Sequence, residues 1–228
     1  MEFRLLGAVI VAVAAATGTI AVIHRTAPVT RRRLLDLVAT GLLGGIALGR
    51  IWAMVAAGTN PIAHPLDLLI VRGGVDTVGA TIGALAAVAW ATRSDLVPLL
   101  DALAPAATFG LAGWHAGCLA RSACLGTPTT LPWGWPATGG GPDRHPVEIY
   151  AALLLVAAAL AVLRLWRRHP GTGRATALAL VTVALVRLVT EPLRPVLGNG
   201  LIVEYAVATA AAALLAVWVW RRRLKADG

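Results

Sequence analysis

The sequence predicts an all-α polytopic membrane protein with seven transmembrane helices, the N-terminus outside and the C-terminus in the cytoplasm. Three observations lead to this fold class: the hydrophobic content of the chain, the spacing of its apolar stretches and the placement of its arginines. Of the 228 residues, 58% are hydrophobic and 14% are charged, and the mean hydropathy is +0.76. A water-soluble domain with so little charge could not cover that much apolar surface.

Seven stretches approach the roughly 20 mainly apolar residues that a transmembrane helix requires. They are residues 4–23, 35–57, 74–92, 97–118, 146–166, 175–190 and 201–220. The sixth is the weakest, because Arg187 and Glu191 lie at its end. The first is preceded by few charges and lacks a small-residue cleavage site, so we expect a retained helix and not a signal peptide. Residues 1–228 are therefore expected to form a single integral membrane domain.

Basic clusters orient these helices. Arginine and lysine are concentrated at residues 25–33, 164–174 and 221–225, and basic clusters flanking membrane helices mark the cytoplasmic side. The outer segments are then residues 60–73, a loop at about 119–145, and residues 191–199. The formal net charge of +9 is explained by topology and anionic lipid, and we expect no nucleic-acid partner.

Several charged side chains nevertheless fall on the outer side. These are Arg72, Arg121, Arg144 and Arg194, with His64, His115 and His145 at comparable depth. Basic residues at this side oppose the usual distribution, and the guanidinium group binds phosphate in a bidentate manner. Single arginines that cap helix ends by snorkelling are the alternative. Four on one side favour an anion site.

Charges inside the apolar stretches are also candidates for function. Arg50 follows Gly49 in the second stretch, away from any basic cluster. Arg187 and Glu191 are spaced i and i+4, which indicates a buried ion pair or a ligand site. Asp76 could pair with any of these arginines.

Glycines in the second and third stretches indicate close packing of two helices, because small residues let backbones approach. They are Gly41, Gly44, Gly45, Gly49, Gly79 and Gly83.

Cys118 and Cys124 have a spacing that matches no common zinc site, and His115 is too isolated to complete one. We expect no metal and no cofactor. The favoured interpretation is two buried small hydrophobic side chains, and the alternative is a disulfide that closes a very small loop.

Five segments resemble motifs of a known family, in that family's order. They are ALGRIWAMV (47–55), HPLDLLIVRGG (64–74), GTPTTLPWG (126–134), RHPVEIY (144–150) and RLVTEPLRP (187–195). The fourth resembles an RHPSQLY box and the fifth an R-x-x-x-E-x-x-R segment. Together they are spread over most of residues 40–200, and on them the chain resembles the prolipoprotein diacylglyceryl transferases, seven-span enzymes of the bacterial inner membrane. The cysteine pair is similar to that of a divergent, cysteine-containing branch of this family.

The chain departs from the family pattern at several positions. The histidine of the family's third span falls on Val78, and a tyrosine four residues before the arginine of the sixth span falls on Val183. The Asn-rich signature aligns to residues 114–123. Its arginine, two asparagines and glutamate fall on His115, Cys118, Arg121 and Ala123.

The resemblance implies transfer of the diacylglyceryl group of phosphatidylglycerol to the lipobox cysteine of a prolipoprotein, with release of glycerol phosphate. The partners would be phosphatidylglycerol, other membrane lipid and the prolipoprotein signal peptide. Because Val78 cannot serve as the family histidine does, we expect His115, His145 and Arg187 to be the catalytic residues. The expected substrate-binding residues are Arg50, Arg144, Tyr150, Glu191 and Arg194.

Each residue class has an expected task. Arg144, Arg187 and Arg194 would hold the phosphate, while His115 or His145 would help to form the thiolate. Glu191 would orient an arginine, and Tyr150 would donate a hydrogen bond to the lipid. The alternative function is a catalytically degenerate relative that binds membrane lipid or uses another acceptor. A small-solute transporter is a third class, although the sequence shows no clear internal repeat.

Overall fold

The computed structural model describes residues 2–23, 30–68, 75–93, 95–121, 123–137, 139–195 and 201–224. Regular structure in these residues is helical, apart from two isolated bridges in the loop before residue 147. The helices are α1 (Glu2–Ile23), α2 (Arg31–Ala56), α3 (Thr77–Ala91), α4 (Leu96–Ala116), α5 (Cys118–Arg121), α6 (Val147–Arg168), α7 (Arg174–Thr190) and α8 (Ile202–Leu224). Two 3₁₀ turns, Pro65–Leu68 and Glu191–Leu193, complete the set.

Each of the seven apolar stretches is a helix, so the all-α prediction is confirmed. Within the part of the chain that the structure describes, five helices are long and apolar enough to cross a membrane: α2, α4, α6, α8, and α7 continued to Leu193. The apolar parts of α1 and α3, Gly7–Ile23 and Val78–Ala91, are shorter.

The chain divides into two compact units. The first consists of residues 1–28 and 100–228, and the second of residues 29–99.

The second unit is a helical hairpin of α2 and α3, and its glycines lie where the two helices meet. A methyl group added to Gly44 would lie 2.7 Å from the carbonyl oxygen of Gly83, and one added to Gly45 would lie 3.0 Å from that of Ala80. No side chain fits at such distances, which confirms the predicted packing role of these glycines.

The two ends of this hairpin are tied by polar contacts. Arg33, in the first turn of α2, donates to the carbonyl oxygen of Ala91 at 2.6 Å. At the other end, the amide of Asp76 donates to the carbonyl oxygen of Gly49 at 3.1 Å. The Asp76 carboxylate accepts from the amide of Gly79 at 2.8 Å and so caps α3. Asp76 therefore serves the helix start.

The first unit packs α4, α6 and α7 around a small apolar core. Ala112, Leu155 and Val186 are buried there, and Val183 packs against them. α1 runs closely along α4, because a methyl group added to Gly113 would lie 2.9 Å from the carbonyl oxygen of Val11.

One contact sets the direction of these helices. The buried Asp101, near the start of α4, accepts from the amide of Thr176 at the start of α7 at 3.1 Å. The end of α4 is therefore brought to the same side of the first unit as the end of α7. The start of α6 and the start of α8 lie there as well, as the contacts described next show.

Candidate functional site

The glycine- and proline-rich loop that leads into α6 is fixed by backbone hydrogen bonds to two helix ends. Gly126 donates to the carbonyl oxygen of His145 at 2.7 Å, and His145 donates to that of Thr127 at 3.0 Å. Thr127 donates to the carbonyl oxygen of Leu193, beyond α7, at 2.9 Å. A side chain at Gly126 would overlap that same oxygen. Only glycine therefore allows the loop to lie against the end of α7.

A disulfide joins Cys118 to Cys124, and the Cα atoms are 5.0 Å apart. Both residues are buried. The favoured interpretation of two unlinked hydrophobic side chains is therefore wrong, and the alternative of a disulfide is what the structure contains. The physical reason is that α5 is a single turn, after which the chain reverses and brings the two Cα atoms within bonding range. Sequence spacing alone carries no information on that reversal.

The central feature of this end of the unit is the carboxylate of Glu148, in the first turn of α6. One of its oxygens lies 2.5 Å from Nδ1 of His115, in the last turn of α4. The other accepts a hydrogen bond from the guanidinium group of Arg194. His115 is 3% exposed and Glu148 is 9% exposed. A buried carboxylate is thus shared by two donors from separate segments.

Arg194 also contacts a second carboxylate. Its Nε lies 3.6 Å from Oε2 of Glu191, which is 3% exposed. The other oxygen of Glu191 accepts from the amide of Leu201 at 3.2 Å. Of the two interpretations of the Arg187–Glu191 spacing, the described residues do not show the ion pair, because the helix tightens into a 3₁₀ turn at Glu191. The arginine beside the Glu191 carboxylate is Arg194, three residues further along the chain.

Arg187 has a different partner. Its Nε and one terminal nitrogen donate to the hydroxyl oxygen of Tyr205, at 3.2 and 2.7 Å. The guanidinium carbon lies 5.0 Å from the centre of the Tyr205 ring. Tyr205 stands in the first turn of α8, so α8 holds the arginine of α7 in place.

Arg144, His145 and Tyr150 lie together where the loop enters α6. Arg144 donates to the carbonyl oxygen of Gly126 at 3.0 Å. The Tyr150 hydroxyl is 3.5 Å from Nδ1 of His145, and the two rings meet edge to face. All three are half-buried.

The remaining predicted residues belong to the second unit or lie outside the described residues. Arg50 belongs to the second unit, is 4% exposed and donates to the carbonyl oxygen of Asp67 at 2.5 Å. Val78 also belongs to the second unit and is 57% exposed. Arg72 and the side chain of Arg121 lie outside the described residues.

Sequence reasoning missed two residues of this cluster, Glu148 and Tyr205. The signal for Glu148 was a carboxylate in the first turn of an apolar helix, two residues before Tyr150. The signal for Tyr205 was an aromatic hydroxyl at the start of the last apolar stretch. Each could have been noted from the sequence, but the partner of each is more than 15 residues away.

The cluster combines a histidine, two carboxylates and several guanidinium groups at one end of an apolar helical bundle. Histidine can accept a proton near neutral pH, and guanidinium groups can hold a phosphate without a metal. Fold and site together define a multi-helix membrane enzyme.

The chain belongs to the prolipoprotein diacylglyceryl transferase family, whose model matches residues 3–201. This confirms the family that the sequence motifs predicted.

Three relatives named phosphatidylglycerol–prolipoprotein diacylglyceryl transferase are similar to the chain. The protein of Paracidovorax citrulli is 28% identical over 213 residues, which are 85% of this chain and 78% of the relative. That of Aeromonas hydrophila is 30% identical over 172 residues, covering 72% and 63%. That of Cereibacter sphaeroides is 33% identical over 189 residues, covering 73% and 65%. The chain thus spans less than two thirds of the last two relatives.

Proposed function

We propose that this protein transfers the diacylglyceryl group of phosphatidylglycerol to the lipobox cysteine of prolipoproteins. The observation that carries the proposal is the meeting of His115, Glu148 and Arg194 at one end of the first unit, in a chain that belongs to this family. A base and a phosphate-binding charge are the two chemical requirements of the transfer.

In this reaction the cysteine sulfur forms a bond to the carbon of the diacylglyceryl unit that carries the phosphate. The bond between that carbon and the phosphate oxygen breaks. The thiol proton passes to a base, and glycerol phosphate leaves with the bonding electrons. The thiolate is the stronger nucleophile, and positive charge stabilises the departing phosphate. No redox partner is needed.

We assign phosphate binding to Arg144, Arg187 and Arg194. Arg187 carries the assignment best, because its hydrogen-bond partner Tyr205 is neutral and no carboxylate among the described residues forms an ion pair with it. Arg194 is flanked by Glu148 and Glu191, so its charge is largely matched and its contribution is smaller. Tyr150 is assigned to the lipid oxygens.

The base is His115 or His145. His115 is buried beside a carboxylate, which stabilises the imidazolium formed when a proton is accepted. His145 faces only the hydroxyl of Tyr150 among the side chains that the structure describes. His115 is therefore the stronger choice.

We further propose that α1, α2, α3, α4, α6, α7 and α8, the helices of the seven apolar stretches, all cross the bacterial inner membrane, with the N-terminus outside and the C-terminus in the cytoplasm. The distribution of basic residues supports this orientation. The site then faces the outer leaflet, the side on which a signal peptide presents its cysteine. Phosphatidylglycerol and the prolipoprotein signal peptide are the proposed partners.

The test is a mass-shift assay with purified protein in phosphatidylglycerol vesicles and a synthetic lipobox peptide. We expect a diacylglyceryl adduct on the peptide cysteine, and we expect Arg187→Ala to reduce its rate of formation by about 100- to 1,000-fold. Arg222→Ala is the matched control, because Arg222 lies against Trp218 at the far end of α8, and its rate should be that of the unmodified protein.

The outcomes separate the candidate functions. No adduct, with phosphatidylglycerol still co-purifying, would replace the proposal by a lipid-binding protein or a transferase with another acceptor. Full activity of Arg187→Ala would overturn the role of this arginine.

A further inference from the structure

Glu148 is the only described side chain that contacts both His115 and Arg194. These contacts use one carboxylate oxygen each. The histidine belongs to the end of α4 and the arginine to the segment after α7, so one side chain joins three parts of the first unit. Neither the family motif nor the spacing of residues identified this carboxylate as functional.

We propose that Glu148 is the positioning residue of the transfer reaction. It holds His115 with the proton on Nδ1 and leaves Nε2 to accept the proton of the substrate thiol. The inference rests on the proposed function and deepens it, because it assigns which nitrogen of which histidine acts.

The geometry supports this assignment. A carboxylate oxygen can only accept a hydrogen bond, so the 2.5 Å contact requires a proton between it and Nδ1. A neutral imidazole ring has one proton on its two nitrogens, and the contact with Glu148 places that proton on Nδ1. The free electron pair of the ring then lies on Nε2. A carboxylate that fixes a histidine in this way also stabilises the imidazolium that forms during the reaction.

Arg194 keeps the carboxylate charged. A single buried carboxylate would be neutralised by protonation, because burial opposes the charged form. Arg194 supplies an opposite charge on the second oxygen. The first turn of α6 adds the favourable end of the helix dipole, where negative charge is stabilised. Glu148 can therefore accept from His115 throughout the reaction.

The proton balance is complete. The thiol proton moves to Nε2 as the sulfur–carbon bond forms, and His115 becomes an imidazolium paired with Glu148. Glycerol phosphate leaves with the electrons of the broken carbon–oxygen bond and takes up the proton from Nε2. The next cycle begins with neutral His115.

A merely structural cross-link is the competing explanation, since Glu148 joins α4, α6 and the segment after α7. The test compares Glu148→Gln and His115→Ala, singly and together, with the lipobox peptide assay. Glutamine keeps the size of the side chain and removes its charge. We expect Glu148→Gln to lower kcat by about 100-fold, with the KM for the peptide changed by less than about threefold.

The double variant decides between the two explanations. If Glu148 acts through His115, adding Glu148→Gln to His115→Ala causes little further loss, because the two residues form one functional unit. Glu204→Gln is the matched control, since Glu204 is an exposed carboxylate in the first turn of α8, and it should leave kcat unchanged.

Two results would overturn the inference while the proposed function stands: wild-type kcat in Glu148→Gln, or fully additive losses in the double variant. An inactive wild-type protein would overturn the proposed function itself. If Glu148→Gln does not accumulate in the membrane, Glu148→Asp replaces it. Aspartate keeps the charge but is one methylene too short to reach both partners, and wild-type kcat in that variant would overturn the inference.

Discussion

The α2–α3 hairpin and the charged end of the first unit are built by different means. The hairpin is held by small residues at helical spacing, and its arginine, Arg50, donates to a backbone carbonyl oxygen 17 residues away. The charged end is assembled from four segments of the chain. Its key pairs, His115 with Glu148 and Glu148 with Arg194, are separated by 33 and 46 residues.

The difference concerns what local sequence can specify. Close helix packing requires only that glycines face one another, and this requirement is visible in a short pattern. A shared carboxylate requires that three helix ends meet, which depends on loop lengths and on the disulfide. We therefore expect glycine substitutions in the hairpin to change stability, and substitutions of the charged side chains at the end of the first unit to change activity.

The largest expected effect is loss of the hairpin in Gly83→Val. A β-carbon at this position would lie 2.6 Å from that of Leu48 and would overlap the carbonyl oxygen of Gly44. Because both neighbours belong to α2, the helices must separate. We expect a loss of at least about 3 kcal/mol in the free energy of unfolding, measured by thermal unfolding in detergent.

Gly18→Ala is the control for that variant, because no atom lies within 4 Å of a β-carbon added at Gly18. Its stability should equal or slightly exceed that of the unmodified protein, since alanine favours the helix. A Gly83→Val protein as stable as this control would show that close α2–α3 contact is not required.

Loss of the Cys118–Cys124 disulfide, at the charged end of the first unit, should have the next largest effect on stability. A cross-link over six positions restricts the unfolded chain, and its loss costs about 2 kcal/mol. Activity should also fall, because the carbonyl oxygen of Cys124 accepts from the amide of Glu148 at 3.4 Å. The measurement is thermal unfolding and adduct formation for the Cys118→Ala/Cys124→Ala variant.

Reductant provides the control for the disulfide. It should destabilise the unmodified protein to the level of the double variant and leave the double variant itself unchanged. Equal stability of the unmodified protein with and without reductant would contradict the expectation.

The same comparison explains how much could be predicted from sequence. Helix positions follow from apolar stretches of sufficient length, and the glycine contacts follow from spacing, so the all-α class and the α2–α3 packing were predictable. Arg187 and Glu191 could be selected from the sequence as unusual charges in an apolar stretch. Their partners were not predictable, because the 3₁₀ turn at Glu191 changes which side chains meet.

The disulfide and Glu148 show a second limit. For Cys118 and Cys124, the choice between pairing and separate burial depends on a chain reversal that leaves no pattern in composition. Glu148 falls within a recognised motif, yet its importance comes from His115 and Arg194, which belong to other segments. Motifs identify where the chemistry is concentrated, and only three-dimensional contacts show which side chains act together.

The smallest expected effect is that of removing one hydroxyl group at the charged end, the hydroxyl of Tyr205. This change shows how much a single polar contact contributes there. Tyr205→Phe keeps the ring beside Arg187 and removes the oxygen that accepts two of its hydrogen bonds. We expect the KM for phosphatidylglycerol to rise about tenfold, the value of one hydrogen bond to a charged group. Stability should change little, because the site is only half-buried.

Two further variants separate the hydroxyl of Tyr205 from its ring and from its helix. Tyr205→Leu removes ring and hydroxyl together, and it should raise the KM further, because the cation–π contact of Arg187 is lost as well. Thr209→Ala removes a hydroxyl one turn along α8, where it donates to the backbone of Tyr205, and should leave the KM unchanged. If Tyr205→Phe and Thr209→Ala have the same KM for phosphatidylglycerol, the Tyr205 hydroxyl does not position Arg187, and packing against the ring alone holds it. Polar contacts between distant segments would then contribute less to the function of the charged end than the comparison with the hairpin implies.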